Sequence, residues 1–245
     1  MRFDTATSYT IKEKIKDSQI ALLPIGAVEA HGPHLPLGTD NILAEKLAAT
    51  VAEKTGALQL PLLPFGQVWS LKNFPGSIHV SNESLVSMLV DIGESLYRQG
   101  IRILAFINGH LGNANALKEA SRQLFERYSD FKVFAFFYPG TKKLMDEIRD
   151  TTSSHSTYFH ACEIETSLML YVAEEEVDMS KALNENPIIP ESADVTPTPW
   201  ETFTDTAVLG DATRATKKKG AIIVEQAISK MVELLEEARD KVKSR

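Results

Sequence analysis

The chain has 245 residues, enough for one large α/β domain with a well-buried core, and no Pro/Gly/Ser-rich linker divides it. Its 33 acidic residues against 26 Lys and Arg leave a net charge of −7, which favours solubility and argues against a nucleic-acid partner. A lone cysteine, Cys162, excludes an intramolecular disulfide and fits a reducing compartment; with no run near the roughly 20 apolar residues that span a bilayer and no apolar signal core at Met1 to Thr5, a cytoplasmic protein without a membrane partner is expected.

The first strand-like run covers about 20–25 and leads into Glu29-Ala30-His31-Gly32-Pro33-His34-Leu35-Pro36-Leu37-Gly38-Thr39-Asp40. Imidazole and carboxylate are ligands that Zn2+, Mn2+ and Fe2+ accept, and residues two apart in an extended segment point the same way, so Glu29 and His31 are expected to reach one metal site together. A helix follows at about 41–54, for which Asp40 is a plausible N-cap in competition with metal binding. A second strand is read at about 57–65, then the turn Phe74-Pro75-Gly76-Ser77, which can place backbone amides or the Ser77 hydroxyl near the site or be a plain tight turn. Ser81 is a plausible N-cap for a helix at about 82–99.

The third strand, about 101–108, ends in Asn108-Gly109-His110 before a helix at about 114–128, placing another imidazole at a strand's carboxyl end, where open α/β sheets bind ligands. A fourth strand at about 132–138 and a helix at about 141–150 precede His160-Ala161-Cys162-Glu163-Ile164-Glu165, which opens a helix at about 162–173. Helix arithmetic separates His160 and Glu165 by about 140°, so both can face one site only if the first turn is distorted or His160 precedes the helix. Cys162, as a small residue on a helix stripe pointing away from His160, reads as packing and not as a nucleophile. The Pro- and Asn-rich stretch from about 181 to 206 reads as a long loop over the site or a subunit contact, and a charged amphipathic helix from 214 to 245 closes the chain, its Lys217-Lys218-Lys219 run read as a solvated helix start. This alternation predicts a single domain over residues 1–245, a mainly parallel sheet flanked by helices on both faces.

The segments around His31, His110 and His160, with Phe74-Pro75-Gly76-Ser77 and Gly210-Asp211-Ala212-Thr213-Arg214, resemble the creatininase (creatinine amidohydrolase) family from about Ile20 to Gly220. The resemblance implies an α/β metal-dependent amidohydrolase with two divalent ions per chain, a small-molecule substrate and a homo-oligomer, commonly a hexamer. It implies that Glu29, His31, Asp40 and His110 are metal ligands, Asp40 bridging, and that His160 moves protons. In creatininase itself a Glu two residues after the third-strand His completes the second metal; here that position is Gly112, and Glu165 is the candidate replacement. Creatininase surrounds its substrate with tryptophans and a tyrosine; Leu111 at the tyrosine position, and only Trp69 and Trp200 in the chain, argue against creatinine as substrate.

The expected reaction is hydrolysis of a non-peptide C–N bond, cyclic amide or formamide, by hydroxide generated at the two ions, with His160 donating a proton to the leaving nitrogen. Leu111 and Tyr158 are expected to wall the substrate pocket with Ser77 nearby, and His34 to orient ligands from behind. Two rivals stay open: a two-metal phosphoesterase, disfavoured by the lack of Arg or Lys in the ligand motifs, and a non-catalytic metal-binding assembly protein, favoured by an incomplete second site at Gly112.

Overall fold

A computed structural model describes residues 1–155 and 158–243. Its centre is a parallel sheet of β1 (Ile20–Ile25), β2 (Leu58–Gln59), β3 (Ile103–Asn108) and β4 (Lys132–Phe136) in the order β2-β1-β3-β4. All residues of β1 and β3 are buried, as expected of strands covered on both faces. Successive side chains alternate between two cores. Ile20, Leu22, Ile103, Ala105 and Ile107 meet α2 (Thr39–Thr55), α6 (Glu163–Val172) and α7 (Lys217–Lys243). Ala21, Leu23, Ile25, Leu104 and Phe106 meet α1 (Ser8–Ser18), α3 (Asn82–Arg98) and α4 (Ala114–Arg127) on the other side. The expected single α/β domain with helices on both faces is the observed one.

Several local expectations change. The second strand keeps only two paired residues because Pro61 and Pro64 interrupt its ladder, although the segment stays beside β1 through Leu60 N–H to Leu22 O (2.8 Å) and Leu63 N–H to Pro24 O (3.0 Å). Helix α1, not anticipated from the sequence, is capped by Thr7, which accepts from Thr10 N–H, and buries Ile11 and Ile15. Ser81 does cap α3, accepting from Ser84 N–H at 3.2 Å. Asp40 does not cap α2: the helix starts at Thr39 with Gly38 in the cap position, so the Asp40 carboxylate sits in the first turn and is free for other partners. The stretch 181–206 contains β5 (Asn184–Glu185), antiparallel to β6 (Gly210–Asp211), and several single helical turns. A short helix α5 (Lys142–Ile148) follows β4. The last helix begins at Lys217, after a helical turn at Ala212–Arg214, and the final two residues of its expected span lie outside the described ones.

The sheet order reverses direction between β1 and β3, creating the crevice at the strands' carboxyl ends where doubly wound folds bind ligands. Among the described residues no helix is long and apolar enough to cross a membrane. Phe106 is fully buried at the centre of the sheet. Phe106→Ala is expected to lower unfolding free energy by about 3–5 kcal/mol, read as a fall in the urea midpoint, while leaving the strand-end site assembled.

Candidate metal centre

Gly109, just past β3, passes so close to the start of α2 that a Cβ there would stand 2.1 Å from the Asp40 carbonyl oxygen. This close approach, with Gly109 N–H donating to Ile25 O (2.9 Å), brings the ends of β1 and β3 and the first turn of α2 together. Asn108 then fixes the next residue: its side-chain amide donates to His110 O (2.7 Å) and its Oδ1 accepts from His110 N–H (3.1 Å). Asn113 Nδ2 donates to Gly26 O (3.0 Å), tying the same loop to β1.

Six buried side chains converge there: Glu29, His31, Asp40, His110, His160 and Glu165. Asp40 divides its two oxygens, Oδ1 lying 3.4 Å from His31 Nε2 and Oδ2 3.1 Å from His110 Nδ1. Glu29 Oε1 lies 3.0 Å from His110 Nδ1, and Glu165 Oε2 3.6 Å from His31 Nε2. Donor atoms of Glu29, Asp40 and His110 lie within 4.8 Å of one another, as do those of His31, Asp40 and Glu165, and Asp40 belongs to both triplets; Glu29, His31 and His160 form a third.

The imidazoles are oriented from behind by backbone carbonyls. His31 Nδ1 donates to Glu29 O (3.1 Å), His110 Nε2 to Gln67 O (2.7 Å) and His160 Nε2 to Ala30 O (2.8 Å). A carbonyl only accepts, so these nitrogens carry the hydrogens and the opposite nitrogens face the carboxylates as lone pairs, the arrangement that metal-ligating histidines adopt. Without a cation, protons take its place. Burial would lower His31, but Asp40, Glu165 and Glu29 outweigh it and push the imidazole up to about 10; His110 is likewise driven up against burial by Glu29 and Asp40. Burial would raise Asp40, yet His31 and His110 hold it well below the carboxylate range. Glu165 is pushed up to about 7 by burial, opposed by His31 and reinforced by Asp40. His31 Nε2 and Asp40 Oδ2 are buried without a hydrogen-bond partner. Three buried carboxylates, imidazole lone pairs aimed at them and two buried polar atoms without a hydrogen-bond partner fit divalent cations.

His160 precedes α6, which starts at Glu163, and so meets Glu165 in the cluster as the sequence arithmetic required. Its Nδ1 lies 3.7 Å from Glu29 Oε1 and 3.9 Å from Glu165 Oε2, and burial, then the facing His31, pushes it down to about 4. Glu165 reaches the centre while its Oε2 accepts from Ala161 N–H at 2.6 Å, with Ala161 in the left-handed region at φ 48°. Glu163 turns the other way, accepting from Asp150 N–H (2.7 Å) and pairing with Lys219 Nζ (2.6 Å). Lys219, expected to be solvated, is thus a clamp between α7 and α6, its side chain only 12% exposed. Cys162 is buried in the core beside α6, as the packing reading expected, and its thiol is pushed up to about 11 by burial and by Glu165.

Leu111 and Tyr158 line a cavity of about 260 Å³ at the cluster, with Phe137, Phe159 and Trp200 among their neighbours. Ser77 is not among the lining residues: its hydroxyl accepts from Ala30 N–H (3.0 Å) and so props the loop between Glu29 and His31. His34 Nε2 bonds Thr166 Oγ1 (2.9 Å), joining this loop to α6, while His79 Nδ1 accepts from Val68 N–H (3.0 Å) and His155 stacks on Tyr158. Sequence reasoning missed Trp200, whose ring meets His160 edge-on at 5.2 Å, and Tyr138. Tyr138 follows β4 with φ 42°, and its buried hydroxyl, without a hydrogen-bond partner, is driven well above its usual range by burial and by Glu165 and Asp40. A bulky residue in that backbone region was the available signal only once coordinates existed.

A family model described as creatinine amidohydrolase matches residues 4–235. The chain belongs to the creatininase family. It is a creatininase-family amidohydrolase, acting on C–N bonds. The creatinine amidohydrolase of Pseudomonas putida is 29% identical over 239 residues, 89% of each chain. The mycofactocin precursor peptide peptidase of Mycolicibacterium smegmatis is 29% identical over 218 residues, 86% of this chain and 81% of its own. A solved manganese form of creatininase superposes with a TM-score of 0.86 at 26% identity, covering 96% of this chain and 97% of that one.

Against the creatininase arrangement the position of Gly112 is decisive. A Cβ at 112 would stand 2.3 Å from His110 Nε2 and 2.4 Å from Gln67 O, the two atoms of the hydrogen bond that orients His110. Gly112→Ala is therefore expected to lower metal occupancy, measured by elemental analysis, by disturbing His110 and not by removing any ligand. Glu165→Gln is expected to lose one metal per chain, whereas Glu163→Gln keeps full occupancy and loses about 1–3 kcal/mol of stability by stranding Lys219. Burial would raise the Glu163 carboxyl, but Lys219, Thr151 and the Asp150 backbone N–H hold it below its ordinary 4.5. Its contribution is thus present above that pH and fades as pH falls through the folded value, so the variant's stability deficit should shrink in acid.

Proposed function

We propose that this creatininase-family member hydrolyses a small-molecule, non-peptide amide or formamide C–N bond at two divalent ions. The carrying observation is Asp40, whose oxygens face His31 on one side and His110 on the other, so that two ligand triplets share one carboxylate. Glu29, Asp40 and His110 would hold one ion, and His31, Asp40 and Glu165 the other. When bound, Zn2+, Mn2+ or Fe2+ would supply Lewis acidity there, making bound water acidic enough to serve as hydroxide near neutral pH and polarising a substrate carbonyl.

The two triplets that share Asp40 do not include His160, which leaves its Nδ1 for proton transfer. Its Nε2 hydrogen stays on the Ala30 carbonyl, so Nδ1 is the nitrogen that takes a proton from the attacking water and returns it to the leaving nitrogen. Trp200, edge-on to the ring, limits its rotation. Leu111, Tyr158, Phe159 and Trp200 bound the substrate space, and the cavity of about 260 Å³ suits a small molecule. Glu165 beside His31 and Asp40 offers the second triplet a carboxylate in place of the one absent at Gly112, which supports turnover over a non-catalytic role. By family resemblance the working unit is a homo-oligomer, a hexamer, checked by light scattering.

Metal-loaded protein screened against lactams, cyclic ureides and formamides is expected to turn over at least one. On that substrate His160→Ala should keep metal, fold and oligomeric state yet lower kcat by at least roughly 100-fold, and Asp40→Ala should empty both sites. Metal lost together with activity in His160→Ala would make His160 a ligand. A metal-loaded wild type inert on the whole screen would refute the hydrolytic reading.

A further inference from the structure

The cavity at the metal centre adjoins a second one. Leu111, Phe137, Tyr158 and Phe159 line it and also line the second cavity, of about 530 Å³, that extends over α5 to Met145 and Arg149. These four residues, apolar and largely aromatic, are the boundary that the two spaces share. Beyond it the inner wall is Tyr138 and Met145, both buried.

Besides the phenols of Tyr138 and Tyr158, the ionisable groups lining the second cavity among the described residues are Lys142, Asp146, Arg149 and His155. Asp146 stands 3.6 Å from Arg149 Nη2, and His155 stands 3.3 Å from Asp194. The Arg149 side chain is only 16% exposed; its Nε donates to Met145 O at 3.3 Å, and the guanidinium offers five donors in all. With Lys142 also on the wall, two cations face one carboxylate in the cavity itself, in a chain whose overall charge is −7. A half-buried guanidinium with spare donors is suited to a carboxylate, which it grips through two parallel hydrogen bonds.

Leu111 follows His110 and Phe159 precedes His160 in the chain, so the shared boundary adjoins the ligand cluster itself, and a substrate half too large for the space of about 260 Å³ there has the second cavity beside it. We propose that the second cavity is the binding site for the amine half of the substrate, and that this half carries an aromatic or bulky apolar body and a carboxylate: the substrate class is an N-formyl or short N-acyl derivative of an aromatic amino acid. Its hydrolysis breaks the amide C–N bond, hydroxide adding to the carbonyl carbon and the proton passing to nitrogen, which releases formate or a short carboxylate and the free amino acid. This inference rests on the hydrolytic reading for its chemistry but not for its binding site.

Three formamides test it on the metal-loaded full chain: N-formyl-L-phenylalanine, N-formyl-2-phenylethylamine without the carboxylate, and N-methylformamide with neither feature. The expected kcat/KM falls in that order, by at least roughly 10-fold at each step. Arg149→Ala should collapse the ratio between the first two, Arg149→Lys should restore part of it, and the exposed Lys142→Ala, which leaves folding unaffected, should reduce it in the same direction. Equal kcat/KM for the first two in the wild type, or a ratio untouched by Arg149→Ala in a folded variant, overturns the proposal. If no formamide is turned over, calorimetry with 3-phenylpropanoate, which has the ring and the carboxylate but no scissile bond, decides the site separately. Saturable binding weakened at least roughly 10-fold by Arg149→Ala supports it, and absent or Arg149-independent binding overturns it.

Discussion

Three carboxylates, Glu29, Asp40 and Glu165, are held out of water within reach of one another, and the remainder of the site exists to make that tolerable. Like charges brought together in a low-dielectric setting repel strongly, and each loses its hydration. Positive charge must be supplied, by protons on His31 and His110 or by cations that displace them. The same demand explains why all three imidazoles of the cluster are tethered through their outer nitrogens. A ring free to rotate could take its lone pair away from the carboxylates, whereas one donating to a backbone carbonyl cannot.

The fold supplies this rigidity at low conformational cost. Parallel β1 and β3 end side by side at the reversal of the sheet order, and the loops that leave them are stitched by Asn108 and Asn113 rather than left to thermal motion. Asp40 rides on the first turn of a 17-residue helix that packs against the sheet, at the end where the helix dipole favours negative charge. Glu165 comes from a helix pinned through Glu163 to Lys219 on α7. Ligands on strands and helix ends held in this way give a site more precise than one built from unsupported loops.

How much of this could be read from the sequence depended on distance along the chain. Glu29, His31 and Asp40 lie within twelve residues after a buried strand, so local periodicity and turn residues sufficed to place them. His110 followed from the Asn-Gly punctuation at the end of another strand. Glu165 required the resemblance, and its choice over Glu163 depended on where α6 starts, which is fixed by the contact of Glu165 with Ala161 N–H and of Glu163 with Lys219 some fifty residues later. Asp40 as a helix cap failed because α2 begins at Thr39, two residues earlier than composition suggested. Trp200 and Tyr138 were invisible for the same reason as Lys219: a loop residue and a strand-end residue acquire their partners only from the tertiary fold, which no spacing rule encodes. Ser77 was placed near the right loop but with the opposite task, supporting Ala30 instead of meeting substrate.

Gly112 carries a consequence for how such enzymes diverge. With this backbone, any side chain at 112 collides with the hydrogen bond between His110 and Gln67, so a carboxylate at that position and a His110 held by that carbonyl exclude each other. A single substitution at 112 therefore cannot add a carboxylate to this site as it stands. The Gln67 segment must be re-seated at the same time, so the chemistry of residue 112 and the course of the chain at residue 67, far apart in sequence, are tied to change together.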